Sequence, residues 1–181
     1  MKGSVFLSSI TVLLASFASA AEVPSKEAFG WFDSADAQTK YVACEKAIYE
    51  WDYYEQKNVW QTGNMSAADA ETAYATAMEA LKRQVFYHVL AQTIDLNAYA
   101  LTEKKVNDIF YAEYDKDASN AQREYNRLGE FCLYTVYDRL MASSSEAQKA
   151  DTAVRGIVIL PSLRERAKAE FIKMATTRDA K

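Results

Sequence analysis

Apolar side chains recur every three or four positions along most of this chain, a spacing that places them on one face of an α-helix. Only 5 glycines and 2 prolines occur in 181 residues, too few for the many turns of an all-β protein. We therefore predict an all-α protein, an antiparallel bundle of four to five helices. In chain order the apolar stripes are Cys44, Ala47, Ile48, Trp51 and Tyr54; Tyr74, Met78, Leu81, Val85 and Val89, widened by Phe86, Leu90 and Ile94; Val106, Ile109, Phe110 and Tyr114; Tyr125, Leu128, Cys132, Val136 and Leu140; and Leu163, Ala167, Phe171 and Met174.

Polar and capping residues predict where these helices begin and end. Ser66 and Asp69 have the spacing of a capping box, in which side chains satisfy the free N–H groups of a helix start. Gly129, inside the fourth stripe, costs helix stability and marks a possible close helix contact. The other expected boundaries are Asp33 or Ser34 to about Val59 for the first helix, residues 94–98 for the end of the second, Thr102 as the cap of the third, residues 115–120 and 143–145 as breaks, and Pro161 as the start of the last. Residues 146–159 fit a short helix or a partly extended segment.

The first twenty residues have the pattern of a secretory signal peptide. Lys2 is followed by an apolar run, and Ala18-Ser19-Ala20 offers the small residues that signal peptidase requires. We predict cleavage after Ala20, an irregular segment over 21–32 and one helical domain over 33–181. The run is too short for a membrane-spanning helix. The protein is thus expected to be periplasmic or secreted and not membrane-spanning.

Two cysteines, Cys44 and Cys132, both occupy inward-facing stripes. An even cysteine count in an exported protein predicts a disulfide bond, here between the first and fourth helices. Two buried free thiols are the alternative.

Charge is unevenly distributed along the chain, whose formal net charge is -4. Residues 155–181 hold seven basic and three acidic side chains, so the rest of the chain is strongly acidic. An acidic body argues against nucleic acid as a partner, because phosphate contacts need a basic face. We expect the basic end to pack against the acidic body.

Aromatic and acidic residues alternate near the end of the first predicted helix. Aromatic faces beside carboxylates suit a binding surface for sugars, peptides or proteins. We predict a candidate binding surface here; the alternative is a helix packed on two sides. Its members are Tyr49, Trp51, Asp52, Tyr53, Tyr54 and Trp60.

Catalytic patterns are scarce. His88 is the only histidine. It could act as a general base or metal ligand; the alternative is a structural residue at the edge of the core, packed beside a tyrosine or carboxylate. Asp115, Asp117 and Ser119 have a faint calcium-loop spacing, but Asn126 stands where a bidentate glutamate is needed. We predict no catalytic residues, no metal site and no cofactor.

Leu96-Asn97, Ala121-Gln122-Arg123, Tyr125 and Cys132 together resemble pieces of a family of periplasmic lysozyme inhibitors. Tyr99 stands one residue early, Tyr125 replaces a tryptophan, and Arg-Asp is missing before Cys132. No functional residue of that family is carried over.

These observations favour a non-enzymatic protein that binds another envelope or secreted protein, as an inhibitor, immunity protein or adaptor. One alternative is a small hydrolase or lyase using carboxylates and tyrosines around Glu50, Asp52 and His88. Another is a carrier of an apolar small molecule inside the bundle, in a cavity lined by Trp51, Phe86 and Leu133.

Overall fold

The computed structural model describes residues 26–62, 65–157 and 161–177, with the side chains of 26–28 and 56–62 excepted. These ranges form helices and contain no strand, which confirms the all-α bundle. The elements are α1 (Lys26–Ser34), α2 (Ala37–Thr62), α3 (Ala67–Ile94), α4 (Leu96–Lys116), α5 (Ala118–Phe131), a π-helical segment (Cys132–Val136), α6 (Tyr137–Ser143), α7 (Ser145–Arg155) and α8 (Pro161–Thr176). Of the described helices, none combines the length and the hydrophobicity needed to cross a membrane. The predicted signal peptide lies outside the described residues.

Single residues separate several consecutive helices, each ending one helix and capping the next. Asp95 lies between α3 and α4, and its carboxylate accepts hydrogen bonds from the N–H groups of Asn97 and Ala98. Asp117 caps α5 in the same way through the N–H of Asn120, and Ser144 caps α7. A capping side chain that satisfies free N–H groups lets the chain turn within one residue. Such short joints bring neighbouring helices into direct contact.

Two expected boundaries were wrong. Residues 26–32, predicted to be irregular, belong to α1, so the first helix of the described chain begins well before Asp33. The third predicted helix begins at Leu96 and not at Thr102, whose hydroxyl instead donates to Gln38 Oε1 at 3.2 Å. The capping hydrogen bond predicted at Ser66 is confirmed, since its hydroxyl accepts from the Asp69 N–H at 3.1 Å. Residues 146–155 of the ambiguous segment are helical, as part of α7.

The central contact is the antiparallel pair α2 and α3. At one end, Gln38 on α2 donates to the carbonyl of Ala91 at 2.9 Å. α5 also packs against α2. Directly after α5, Cys132 at the start of the π-helical segment meets Cys44 of α2, and both are fully buried with their sulfurs at bonding distance, 2.09 Å. The structure therefore contains the predicted disulfide between the first and fourth predicted helices.

A stack of aromatic rings fills the core between α1, α4 and α5. Tyr125 is fully buried between Phe110, whose ring centroid lies 4.0 Å away, and Tyr114 at 5.2 Å. Phe29 meets the Tyr125 ring edge-on at 5.2 Å. Stacked and edge-to-face rings add to the gain from burying their area. The Tyr125 hydroxyl has no hydrogen-bond partner among the described residues.

Replacing Tyr125 with phenylalanine is expected to leave the free energy of unfolding unchanged or to raise it by about 1 kcal/mol, because a buried hydroxyl without a partner costs stability. The matched control is Tyr137→Phe. The Tyr137 hydroxyl donates to Asp151 at 2.6 Å and accepts from Arg155 at 3.1 Å, so its removal should cost about 1–2 kcal/mol. Urea unfolding of both variants tests this. Equal destabilisation by the two substitutions contradicts it.

Candidate functional site: an aromatic groove beside the π-helical segment

A groove runs along the surface between α2 and the first half of α3. It consists of two adjoining cavities of about 310 and 300 Å³ that share the lining residues Trp51, Thr72, Thr76 and Tyr134. We call the first the acidic lobe and the second the arginine lobe. The acidic lobe is lined by Trp51, Asp52, Glu55, Met65, Asp69, Thr72, Ala73, Thr76, Ala77, Tyr134 and Phe171. The arginine lobe is lined by Trp51, Thr72, Ala75, Thr76, Glu79, Ala80, Arg83, Leu133 and Tyr134.

Small side chains at the start of α3 leave the space that forms the groove. The helix begins Ala67-Ala68 and continues with alanine or threonine at most positions up to Ala80. Alanine favours the helix intrinsically, and its methyl group does not reach across to α2. Trp51, which packs against the core from α2, therefore keeps one side of its indole on the groove.

The π-helical segment supplies the third wall. It interrupts an otherwise continuous helical run from Ala118 to Ser143, and such insertions are frequent at functional sites. Two of its carbonyls accept side-chain donors: Cys132 O from the Tyr87 hydroxyl at 2.7 Å, and Leu133 O from the Arg83 guanidinium. The ring of Tyr134, 42% exposed, lines both lobes of the groove.

Arg83 is held firmly in the arginine lobe. Its Nε donates to Glu79 Oε1 at 3.2 Å, and its guanidinium carbon lies 4.2 Å from the Tyr137 ring centroid and 5.5 Å from that of Tyr134. Burial disfavours ionisation of Glu79, but the hydrogen bonds and charges of Arg155 and Arg83 outweigh it and lower the pKa of that carboxyl. In this lobe, the positive charge of Arg83 and the negative charge of Glu79 are thus paired within the chain.

Carboxylates on both walls line the acidic lobe. Glu55 comes from α2 and Asp69 from α3, where Asp69 Oδ2 accepts from the Ser66 hydroxyl at 2.7 Å. Partial removal from water, with a smaller contribution from the charge of Glu130, raises the pKa of Glu55. The described lining of this lobe includes no lysine or arginine. It therefore presents negative charge beside aromatic rings.

The residues of the candidate binding surface do not all meet at this groove. Trp51 and Asp52 line it, whereas Tyr49 and Tyr53 are about half exposed and lie outside its described lining. Tyr54 is partly buried, close enough to Tyr114 for its charge to contribute to the raised pKa of that phenol. The side chain of Trp60 is outside the described residues. Sequence reasoning missed Thr72, Thr76, Tyr134 and Phe171, which lie far from Trp51 in the chain.

His88 lies elsewhere, at the contact of α2, α3 and α4. Its Nδ1 is 3.1 Å from Glu45 Oε1 and 2.9 Å from the Tyr99 hydroxyl, and Gln92 Nε2 lies 2.9 Å from its Nε2. The Tyr99 hydroxyl also donates to Glu45 at 2.9 Å. His88 thus occupies the position beside a tyrosine and a carboxylate that the sequence allowed. The carboxylate it meets is that of Glu45, while Asp52 lines the groove.

The residues proposed for an internal carrier cavity are also separated. Trp51 and Leu133 line the surface groove. Phe86 is fully buried and packs edge-on against Tyr87 and Tyr137, each with ring centroids 5.1 Å away. The cavity that Trp51 and Leu133 line is therefore open at the surface and is not enclosed in the core.

Comparison with known proteins identified no match to a family model, to a curated protein or to a solved structure. The resemblance of Leu96-Asn97 and residues 121–123 to lysozyme inhibitors gains no support from it.

Proposed function

We propose that this chain is an exported, non-enzymatic binding protein of the inhibitor, immunity or adaptor type, and that another envelope or secreted protein docks in the groove. The observation that carries the proposal is the groove itself, open to solvent, with Trp51, Tyr134 and Phe171 along its walls. Aromatic side chains that line a concave surface are the usual anchors of protein interfaces.

The composition of the groove favours binding over catalysis. Its described lining holds carboxylates and threonines but no histidine or cysteine. His88, whose described contacts are with Glu45, Tyr99 and Gln92, is not among the lining residues of the groove. These facts support a docking role.

Export is supported by two independent features. Lys2, the apolar run and Ala18-Ser19-Ala20 have the order of a signal peptide. The Cys44–Cys132 bond suits an oxidising compartment such as a periplasm or the cell exterior.

A photo-crosslinking amino acid at Thr76 tests the docking proposal in cells of the source organism. Thr76 lies on the wall shared by both lobes, so we expect it to form a covalent product with one specific exported protein. The control is the same amino acid at Leu101, which is 74% exposed on α4 and outside the groove. Both variants should keep the wild-type melting temperature.

A specific product from position 76 and none from position 101 supports docking in the groove. Equal labelling from both positions, or none from position 76, contradicts it. The same cells test export, since the protein should be recovered outside the cytoplasm with Ala21 as its first residue. A cytoplasmic product that retains residues 1–20 argues against export.

A further inference from the structure

The two lobes of the groove share one chemical pattern but differ in whether their described lining residues include a cation. In the arginine lobe, the guanidinium carbon of Arg83 lies 5.5 Å from the ring centroid of Tyr134, and its Nε donates to the carboxylate of Glu79. The acidic lobe also combines aromatic rings with carboxylates, yet no lysine or arginine is among its described lining residues. The arginine lobe thus shows how this groove accommodates a guanidinium, and the acidic lobe has room for a second.

We propose that the acidic lobe binds an arginine side chain of the partner protein, with its guanidinium between Glu55 and Asp69 and its stem against Trp51. The inference rests on the proposed function and adds the chemistry of what the partner inserts. The two carboxylates line the lobe from different helices, α2 and α3, and a guanidinium is a planar group with donors on more than one edge.

Arginine fits this lobe better than lysine. A guanidinium is planar and weakly hydrated, so it stacks on aromatic faces and pairs with carboxylates at little desolvation cost. An ammonium is a strongly hydrated point charge that gains less from the rings of Trp51, Tyr134 and Phe171. The apolar stem of the arginine can lie along the methyl groups of Ala73 and Ala77.

The state of Glu55 supports a cationic occupant. Partial removal from water and the charge of Glu130 raise the pKa of this carboxyl, so its ionised form is disfavoured in the free protein. A guanidinium beside it favours the ionised form. Binding should therefore strengthen as the pH rises through the titration of Glu55.

The probe is a short blocked glycine–serine peptide carrying one arginine, with lysine and citrulline peptides of otherwise identical sequence as comparators. Nuclear magnetic resonance titration against the whole mature protein should show that the arginine peptide shifts groove residues, with an affinity of about 1 mM. The double substitution Glu55→Gln/Asp69→Asn should weaken its binding about tenfold, because two charge-assisted contacts are lost.

The matched control is Asp108→Asn/Asp115→Asn, which makes the same change in net charge at two exposed positions on α4. It should bind the arginine peptide as the wild type does, and both double variants should keep the wild-type melting temperature. Equal binding of the citrulline or lysine peptide, equal weakening by both double variants, or no shift with the arginine peptide overturns the proposal.

Cross-linking from position 76 separates this inference from the docking proposal. If Glu55→Gln/Asp69→Asn abolishes the cross-linked product, the arginine proposal is supported. If the product persists at the wild-type level in that background, the arginine proposal fails while docking in the groove stands. If the wild type gives no product, the docking proposal fails whatever the peptides do.

Discussion

Replacing both Cys44 and Cys132 with alanine is expected to lower the free energy of unfolding by about 4–5 kcal/mol. The bond joins residues 88 positions apart, so it removes much of the conformational freedom of the unfolded chain. Both cysteines are fully buried, and the smaller alanines add a packing loss. Since a domain of this size is stable by about 5–15 kcal/mol, the loss is a large share of the total.

Urea unfolding of three samples separates the covalent effect from packing: the oxidised wild type, the wild type refolded under reductant, and the double variant. The reduced wild type keeps both sulfurs and should show most of the loss. The slope of free energy against urea should also rise once the bond is gone, because the unfolded chain becomes more expanded. A reduced protein as stable as the oxidised one contradicts the expectation.

The packing between α2 and α5 was predictable from sequence because it follows from helical spacing. Cys44, Ala47, Ile48, Leu128 and Cys132, which belong to the first and fourth stripes, are all fully buried. If the two stripes face each other, the positions of Cys44 and Cys132 along them are enough to predict that the two cysteines pair.

The second stripe was placed less well. Phe86 and Leu90 lie in the core as assigned, but Leu81, at the centre of the stripe, is 44% exposed. Ala80 and Ala91, which are buried, had not been assigned to the stripe. A search for hydrophobic spacing gives most weight to large side chains. It overlooks alanines, although they often lie on the face that a neighbouring helix approaches closely. The end of α3 at Ile94 agrees with the predicted range of 94–98. The start of α4 at Leu96 was missed, since one capping residue between Ile94 and Leu96 leaves no polar break.

The groove was only partly visible in the sequence. Alternating aromatic and acidic residues pointed to Trp51 and Asp52, but the opposite walls come from α3, the π-helical segment and α8. The stripe through Cys132, Val136 and Leu140 has the spacing of an ordinary α-helix. It therefore did not predict the π-helical segment that contains Tyr134. The local sequence pattern thus predicted the wall that α2 contributes. The other walls depend on tertiary contacts, which the sequence pattern does not contain.

Gly129→Ala is expected to lower the free energy of unfolding by about 2–3 kcal/mol, although alanine is the better helix former by about 1 kcal/mol. A Cβ at this position would lie 2.5 Å from the Ala47 carbonyl oxygen and 2.7 Å from the Trp51 Cβ. The carbonyl oxygen belongs to the backbone of α2, and the Trp51 Cβ is bonded directly to that backbone. Neither contact can therefore be relieved by rotating a side chain. α2 and α5 must move apart at a point close to the Cys44–Cys132 bond.

Gly30→Ala is the matched control, because a Cβ on Gly30 would meet nothing within 4 Å. In α1 the same substitution should leave stability unchanged or raise it by up to about 1 kcal/mol. Urea unfolding of both variants measures the contrast. Because Trp51 lines the groove, Gly129→Ala should also weaken cross-linking from position 76, whereas Gly30→Ala should not. A Gly129→Ala protein as stable as the wild type would show that α2 and α5 do not approach as closely as this packing requires.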